Sequence, residues 1–277
     1  MTTIDIGEAR LADEAGYDSR FLSTEVPLPD SSAPADDLAL LPYIHFSVRQ
    51  RLDRRLAEIT AVNIDGAALI DVERGDDWHA DERLEADEQA GAEVYAHNDL
   101  DRGHLVRRRD PVWGADAAAA NFDTFSYANA APQVNVFNQS KDLWLGLEDY
   151  LLGFADASDE RVAVFTGPVF ADDDREYRGI LLPEKFFKIA VWMSRGELAA
   201  TAYVLDQKSL LDGIDARGLR ATEEPGAYRT FQVAVSQVAT LTGLGLDLMA
   251  TADRFEPRPD GRAEEWVELR SYVDLRF

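Results

Sequence analysis

Apolar and polar residues alternate in short runs along this chain, and those runs set its expected elements. Pro42-Tyr-Ile-His-Phe-Ser-Val-Arg49 alternates at period two and predicts a strand. Leu56–Gly66 predicts a second strand, closed by the turn pair Asp65-Gly66. Arg161-Val-Ala-Val-Phe-Thr-Gly167 predicts a buried strand, Leu181–Trp192, which contains Pro183, another after a turn, and Leu198–Leu205 a third. Elsewhere the spacing is helical. Leu143, Leu147 and Leu151 recur every fourth residue, so Lys141–Leu152 predicts an amphipathic helix. Short helices are expected over Ile6–Ala15 and the alanine-rich Ala115–Asn121, and a longer one over Thr230–Thr242, stopping at Gly243.

The stretches between carry less pattern. Residues 1–40 are acidic and hold Pro27, Pro29 and Pro34, which predicts an extended arm. Residues 71–92 form a charged connection, where His79 is expected to face solvent. The tail after Pro257 is polar, with Ser271–Phe277 as a last edge strand. No repeat and no linker divides the remainder. The expectation is an arm over 1–40 and one α+β domain over 41–277, with a central, mainly antiparallel sheet and flanking helices.

Composition bounds the chemistry. With 277 residues and 46% hydrophobic content, the chain can bury a sizeable core. It has no cysteine, so disulfides, thiolate zinc sites and cysteine nucleophiles are excluded, and any metal must sit on oxygen or histidine. The N-terminus lacks a basic region followed by an apolar core, and no run reaches the roughly 20 apolar residues of a membrane span. The expectation is a soluble, cytoplasmic protein without membrane contact, a non-standard export route remaining open.

Charge complicates this. A net charge of −24 disfavours approach to nucleic acid. Two stretches reverse the sign locally: Arg49, Arg51, Arg54 and Arg55, then Arg102, Arg107, Arg108 and Arg109. Either the fold brings them together as one positive face, or they are two solvated charge runs.

The second stretch, Asp101-Arg-Gly-His-Leu-Val-Arg-Arg-Arg-Asp110, also holds the most promising of four histidines. His45, beside Phe46, reads as packed, and His97, before Asn98 and Asp99, as exposed filler. His104 follows a glycine that permits close backbone approach and precedes three arginines whose forked donors match phosphate. Its imidazole suits proton transfer near neutral pH. Downstream, Asn129, Asn138 and Glu148 offer oxygens that a hard cation such as Mg²⁺ prefers. Taken singly, Asn138 is equally a helix N-cap and Glu148 a surface acid.

Four ordered blocks raise the specificity. Asp101-Arg-Gly-His104, Asn129-Ala-Ala-Pro-Gln133, Phe137-Asn138-Gln139 and Trp144-Leu-Gly-Leu-Glu148 together resemble the DNA/RNA non-specific endonucleases, the endonuclease G-like branch of the ββα-metal nucleases. His45-Phe-Ser-Val, Thr60–Gly66, Val164–Phe170 and Phe186–Ile189 extend the resemblance to roughly residues 40 to 245. The resemblance implies a ββα-metal catalytic motif and a Mg²⁺-dependent endonuclease (Mn²⁺ as substitute) that cuts DNA and RNA to 5′-phosphate ends. It implies His104 as general base, Asn138 binding the metal, and Glu148 holding the metal's water shell. Asp101 and Arg102 match the first residues of the histidine motif, Asn129 a further active-site asparagine, and Arg55 an upstream phosphate contact. Leu152 stands where some members carry a basic residue; Arg107, Arg108 and Arg109 are the expected substitutes for that phosphate contact. A homodimer and an inhibitor protein are the expected partners. The alternative is a restrained or silent member acting as a binding or regulatory protein.

One prediction follows from composition alone. Only four of the 28 basic residues are lysine, and acid outweighs base by 52 to 28, which suits high salt. Thermal unfolding followed from low to molar salt is expected to move to higher temperature; a flat or falling response contradicts this.

Overall fold

The computed structural model describes residues 16–135, 160–212, 214, 229–255 and 266–269. The expected helices over Ile6–Ala15 and Lys141–Leu152 and the strand over Ser271–Phe277 lie outside these residues, as do Asn138 and Glu148.

An eight-stranded antiparallel sheet runs through the molecule. Its strands are β1 (Leu38–Tyr43), β2 (Phe46–Arg51), β3 (Leu56–Asp65), β6 (Arg161–Val169), β9 (Lys185–Ser194), β10 (Glu197–Asp206), β11 (Arg229–Val233) and β12 (Trp266–Leu269), adjacent in that order. Two smaller two-stranded ribbons stand outside it: β4 (Leu100–His104) with β5 (Ala130–Val134), and β7 (Arg175–Tyr177) with β8 (Ile180–Leu182). The α+β class read from the pattern is the class observed.

Both faces of the sheet are covered. Along β3, Val62 and Ile64 join one core with Phe46, Val164, Tyr203 and Leu205, which also takes in Leu100, Leu105, Val106, Ala131 and Val134 around the β4–β5 ribbon. Ile59 and Ala61 join the opposite core with Phe165, Ile189 and Val191. There the cover is helix α2 (Val235–Thr242), helix α3 (Asp247–Thr251) and the arm residues Phe21, Leu22 and Val26. Helix α1 (Ala117–Asp123) lies between β4 and β5 in sequence. Two-sided cover explains why all ten residues of β3 are buried and why the central strands read as apolar runs more than as alternations. The arm is also pinned by polar groups: Ser31 Oγ donates to Glu58 (2.6 Å), whose other oxygen accepts from Arg49 Nε (2.6 Å). Among the described residues, no helix is long and apolar enough to cross a membrane.

Three expected elements are cut by turns. The run Pro42–Arg49 is not one strand but the corner of the β1–β2 hairpin, with His45 at φ 67°. A local alternation cannot register that the chain reverses within it. The run Leu181–Trp192 splits into β8 and β9 around Pro183-Glu184. Thr230–Val233 is strand β11 rather than helix, because β10 offers it a ladder partner, Val204↔Phe231 and Ala202↔Val233. Helix begins only at Val235, and it stops at Gly243 as expected, in the left-handed region.

Gly167 shows how closely the central strands approach. A β-carbon there would lie 2.3 Å from the Glu58 carbonyl oxygen and 2.9 Å from the Phe187 ring. Since backbone cannot yield as a side chain does, Gly167→Ala is expected to cost about 3 kcal/mol and lower the melting temperature by several degrees. Calorimetry on the two proteins checks this.

Candidate active site

The site is built on the β4–β5 ribbon. The two strands pair antiparallel, Asp101↔Gln133, Gly103↔Ala131 and His104↔Ala130, so the histidine stands at the end of β4. The glycine before it has a steric reason. A β-carbon on Gly103 would lie 2.1 Å from the side chain of Gln133, which is itself buried.

Asn129 fixes the turn that follows. It is fully buried; its Oδ1 accepts from the Val106 amide (2.8 Å), and its Nδ2 donates to the carbonyls of Val106 and Thr124 (both 3.0 Å). The Leu105 amide donates to its carbonyl (3.0 Å). With both amide hydrogens so engaged, Asn129 acts as a clamp on the backbone just after His104, a positioning role.

His104 itself is half-buried. Its Nε2 is closed from solvent and, among the described residues, has no hydrogen-bond partner. The ring packs edge-on against Phe125 (5.1 Å, 87°) and tilted against Trp78 (4.7 Å, 51°). Burial above all, and then the positive charges of Arg74, Arg108 and Arg102, push its pKa down to about 3. At neutral pH it is therefore an uncharged imidazole, able to accept a proton.

The arginines divide into two groups. Those of the first basic stretch are committed elsewhere: Arg49 to Glu58, Arg51 to Asp53 and Glu58, Arg54 to Asp172 and Asp174. Arg55 gives its guanidinium to the carbonyls of Ala86, Gln89 and Gly179 and to Glu93 (3.0 Å). Its expected service as a phosphate contact is not what this placement provides. Arg74, in the charged connection, is the upstream arginine whose charge His104 feels.

In the second stretch, Arg102 lies over the Trp78 ring at 5.2 Å. Arg108 donates to the Val72 carbonyl (3.0 Å) and Asn121 Oδ1 (3.1 Å), and its pKa is lowered by burial and by the nearby charges of Arg74, Arg109 and Arg107. Arg109 is exposed, and Arg107 and Asp101 are half-buried. Of the two arginine runs, only the second contributes to the positive field around the histidine.

Sequence reading missed Arg74, Trp78 and Phe125. Residues 71–92 look like solvated linker because Asp and Glu dominate them. In the structure this stretch is a strap: the Ile70 amide donates to the Val112 carbonyl (3.0 Å), the His79 amide to Phe125 (3.1 Å), and the Tyr127 amide to His79 (2.8 Å). His79 is not free in solvent but stacks on Phe122 (4.4 Å, 6°). The available signal was a tryptophan in an otherwise charged run. His45 is packed as expected, stacked on Trp113 (3.4 Å, 8°) with Nδ1 donating to the Pro111 carbonyl (2.8 Å).

Among the described residues, no group of three or more His, Asp or Glu side chains is placed to hold a metal. The expected ligands, Asn138 and Glu148, lie outside them.

Comparison with known proteins places this geometry. Residues 29–255 match the DNA/RNA non-specific endonuclease family. The uncharacterised protein y4fB of Sinorhizobium fredii is 39% identical over 290 aligned positions, covering 94% of this chain. The chain spans 42% of that relative's length. A chain of the EndoG/EndoGI complex, solved to show the mechanism of EndoG inhibition, shares the fold with a TM-score of 0.56 at 19% identity, over 74% of this chain and 84% of that one.

The depressed pKa of His104 has a consequence for stability. The folded chain keeps the imidazole neutral down to about pH 3, whereas an unfolded histidine takes up a proton near 6.5. Above about pH 7 the residue makes no pH-dependent contribution. As pH falls from about 6.5 toward 3, only the unfolded state gains the proton, so stability is lost. His104→Gln, which cannot titrate, is expected to lose less stability between about pH 7 and pH 5 in urea unfolding; equal losses would contradict a neutral His104.

Proposed function

Because the chain belongs to the DNA/RNA non-specific endonuclease family, we propose that it hydrolyses phosphodiester bonds of DNA and RNA with little regard to sequence. The observation that carries this reading is His104 Nε2: a buried acceptor without a described partner, on an imidazole kept neutral, among arginines. Among the described residues nothing bonds this atom, and a buried polar atom so placed favours a partner brought by substrate or water.

Hydrolysis needs an acceptor for the proton of the attacking water. Nε2 of His104 takes it as the water attacks phosphorus in line, and the bond to the 3′-oxygen breaks to leave a 5′-phosphate. Arg102, Arg108, Arg109 and the newly placed Arg74 supply positive charge where the phosphate docks. Asn129 holds the backbone from which His104 projects. The field at this point is opposite to that of the protein as a whole, which allows a chain of net charge −24 to receive a polyanion. If contacts are to phosphate and not to base edges, sequence goes unread.

Asn138 and Glu148 are the residues that would hold Mg²⁺, or Mn²⁺ in its place. This donor set is oxygen only, which suits a hard cation, and the chain has no cysteine to compete. The cation would supply charge stabilisation on the phosphoryl oxygens and the leaving oxygen.

The second reading, a restrained member that acts by binding, draws on the same closed Nε2 and on the overall negative charge. Restraint by an inhibitor protein fits this reading, and the complex whose EndoG inhibition was described offers the analogy. A homodimer is a further proposal.

Plasmid DNA and RNA incubated with Mg²⁺, with and without EDTA, separate the two readings. Cleavage that EDTA abolishes is expected. His104→Ala is expected to fold and to lose cleavage by at least about a thousandfold, while Asn138→Ala lowers the rate and weakens its Mg²⁺ dependence together. Cutting by His104→Ala at the parent rate would sink the assignment.

A further inference from the structure

We infer that Trp78, carried on the strap over residues 71–92, is a positioning residue that orients both the His104 imidazole and the Arg102 guanidinium; this rests on the nuclease reading above. Histidines that act as bases are commonly held in place by a hydrogen-bonded carboxylate or carbonyl on the second ring nitrogen. Here the contacts described around the His104 ring are aromatic. Trp78 lies 4.7 Å away at 51°, and Phe125 5.1 Å away at 87°.

These two rings are not equivalent. Phe125 is fully buried and belongs to the segment that follows helix α1. Trp78 is half-buried and reaches the site from outside the β4–β5 ribbon. Among the described residues, it is the ring that touches both His104 and Arg102, the latter at 5.2 Å over its face. A guanidinium over an indole is attracted by the ring's negative face, at no cost in hydrogen-bond donors. Arg102 can therefore be held in place while its five N–H groups remain available for phosphate.

Trp78 is itself fixed. Its amide donates to the Asp76 carbonyl (3.0 Å), and the adjacent His79 is bonded on both sides, to Phe125 and Tyr127. The Trp78 ring rests on Phe125 (5.4 Å, 78°) and Tyr127 (5.8 Å, 32°), and Tyr127 in turn faces Tyr95 (6.1 Å, 13°). The indole is thus the near end of a supported row of rings, a rigid surface against which a histidine and an arginine can be set. Misplacing a reacting group by about 1 Å can cost on the order of a hundredfold in rate.

The test uses the full chain with Trp78→Phe, Trp78→Leu and Trp78→Ala. Phe keeps a ring face, Leu keeps apolar volume without one, and their comparison survives if the Ala variant does not fold. Two quantities are read: kcat and KM on a duplex oligonucleotide with Mg²⁺, and the NOE contacts between the His104 and Phe125 rings by NMR, which report distance and not ring current. The four histidines make assignment simple, by difference from His104→Ala. Expected results are a kcat reduced at least about tenfold in Leu and Ala, with the His104–Phe125 contacts weakened, and a kcat within about threefold of the parent in Phe. If Leu matches Phe in kcat, Trp78 merely packs and the inference is overturned. If the unsubstituted chain cleaves nothing, the nuclease reading fails instead, and the positioning role falls with it.

Discussion

The carboxamide of Asn129 accepts from the Val106 amide and donates to the carbonyls of Val106 and Thr124, all inside the protein. Those bonds tie the end of β4 to the segment leading into β5, where no sheet ladder continues. Everything at the site depends on where β4 ends. The histidine projects from its last position, the arginines follow on the turn, and the strap lies across the same segment through Phe125 and Tyr127. Without the carboxamide, the buried amide and carbonyl of Val106 and the carbonyl of Thr124 would lose partners, each at a cost of about 1–3 kcal/mol. The large sheet supplies the second requirement. Its two covered faces make a stiff floor, and Leu100, Ala131 and Val134 seat the ribbon in the core of one face.

Charge is arranged with similar economy. Arginines on the β2–β3 corner meet Asp53, Glu58, Asp172 and Asp174, so one basic run disappears into local ion pairs. Around His104, burial first and the neighbouring arginines second keep the histidine neutral. The difference is made by carboxylate placement, since acids are abundant throughout the chain. At about 10 Å of screening length in 0.1 M salt, a phosphate at the site senses these few arginines more than the distant acids.

The strap changes how the charged connection should be understood. Most of its acidic residues are exposed, as their composition suggests, although Asp81 is buried against Tyr43 and Arg83, while Trp78 packs on His104 and the charge of Arg74 reaches it. Composition averages over a segment, whereas a site selects individual side chains from it. Stacking of His79 on Phe122 and the two hydrogen bonds at His79 hold the strap in register, so the selection is structural and not incidental.

Local pattern specifies the class of fold, most of the central strands, the stop of helix α2 at Gly243, and the candidate histidine with its glycine. These are local properties: an apolar run long enough to be buried on both faces, a residue able to adopt positive φ, a glycine where any β-carbon collides. Tertiary packing alone decides that Thr230–Val233 joins β10 as a strand, that Pro42–Arg49 turns a corner, that Arg55 bonds backbone carbonyls, and that the charge of Arg74 reaches His104. Each of those outcomes turns on a partner distant in the chain, Val204 for Phe231 or Gln89 for Arg55, and no spacing within a short window encodes which partner will be near. The neutral state of His104 belongs to the same class, because burial, the neighbouring Arg102 and Arg108, and Arg74 from the strap produce it together.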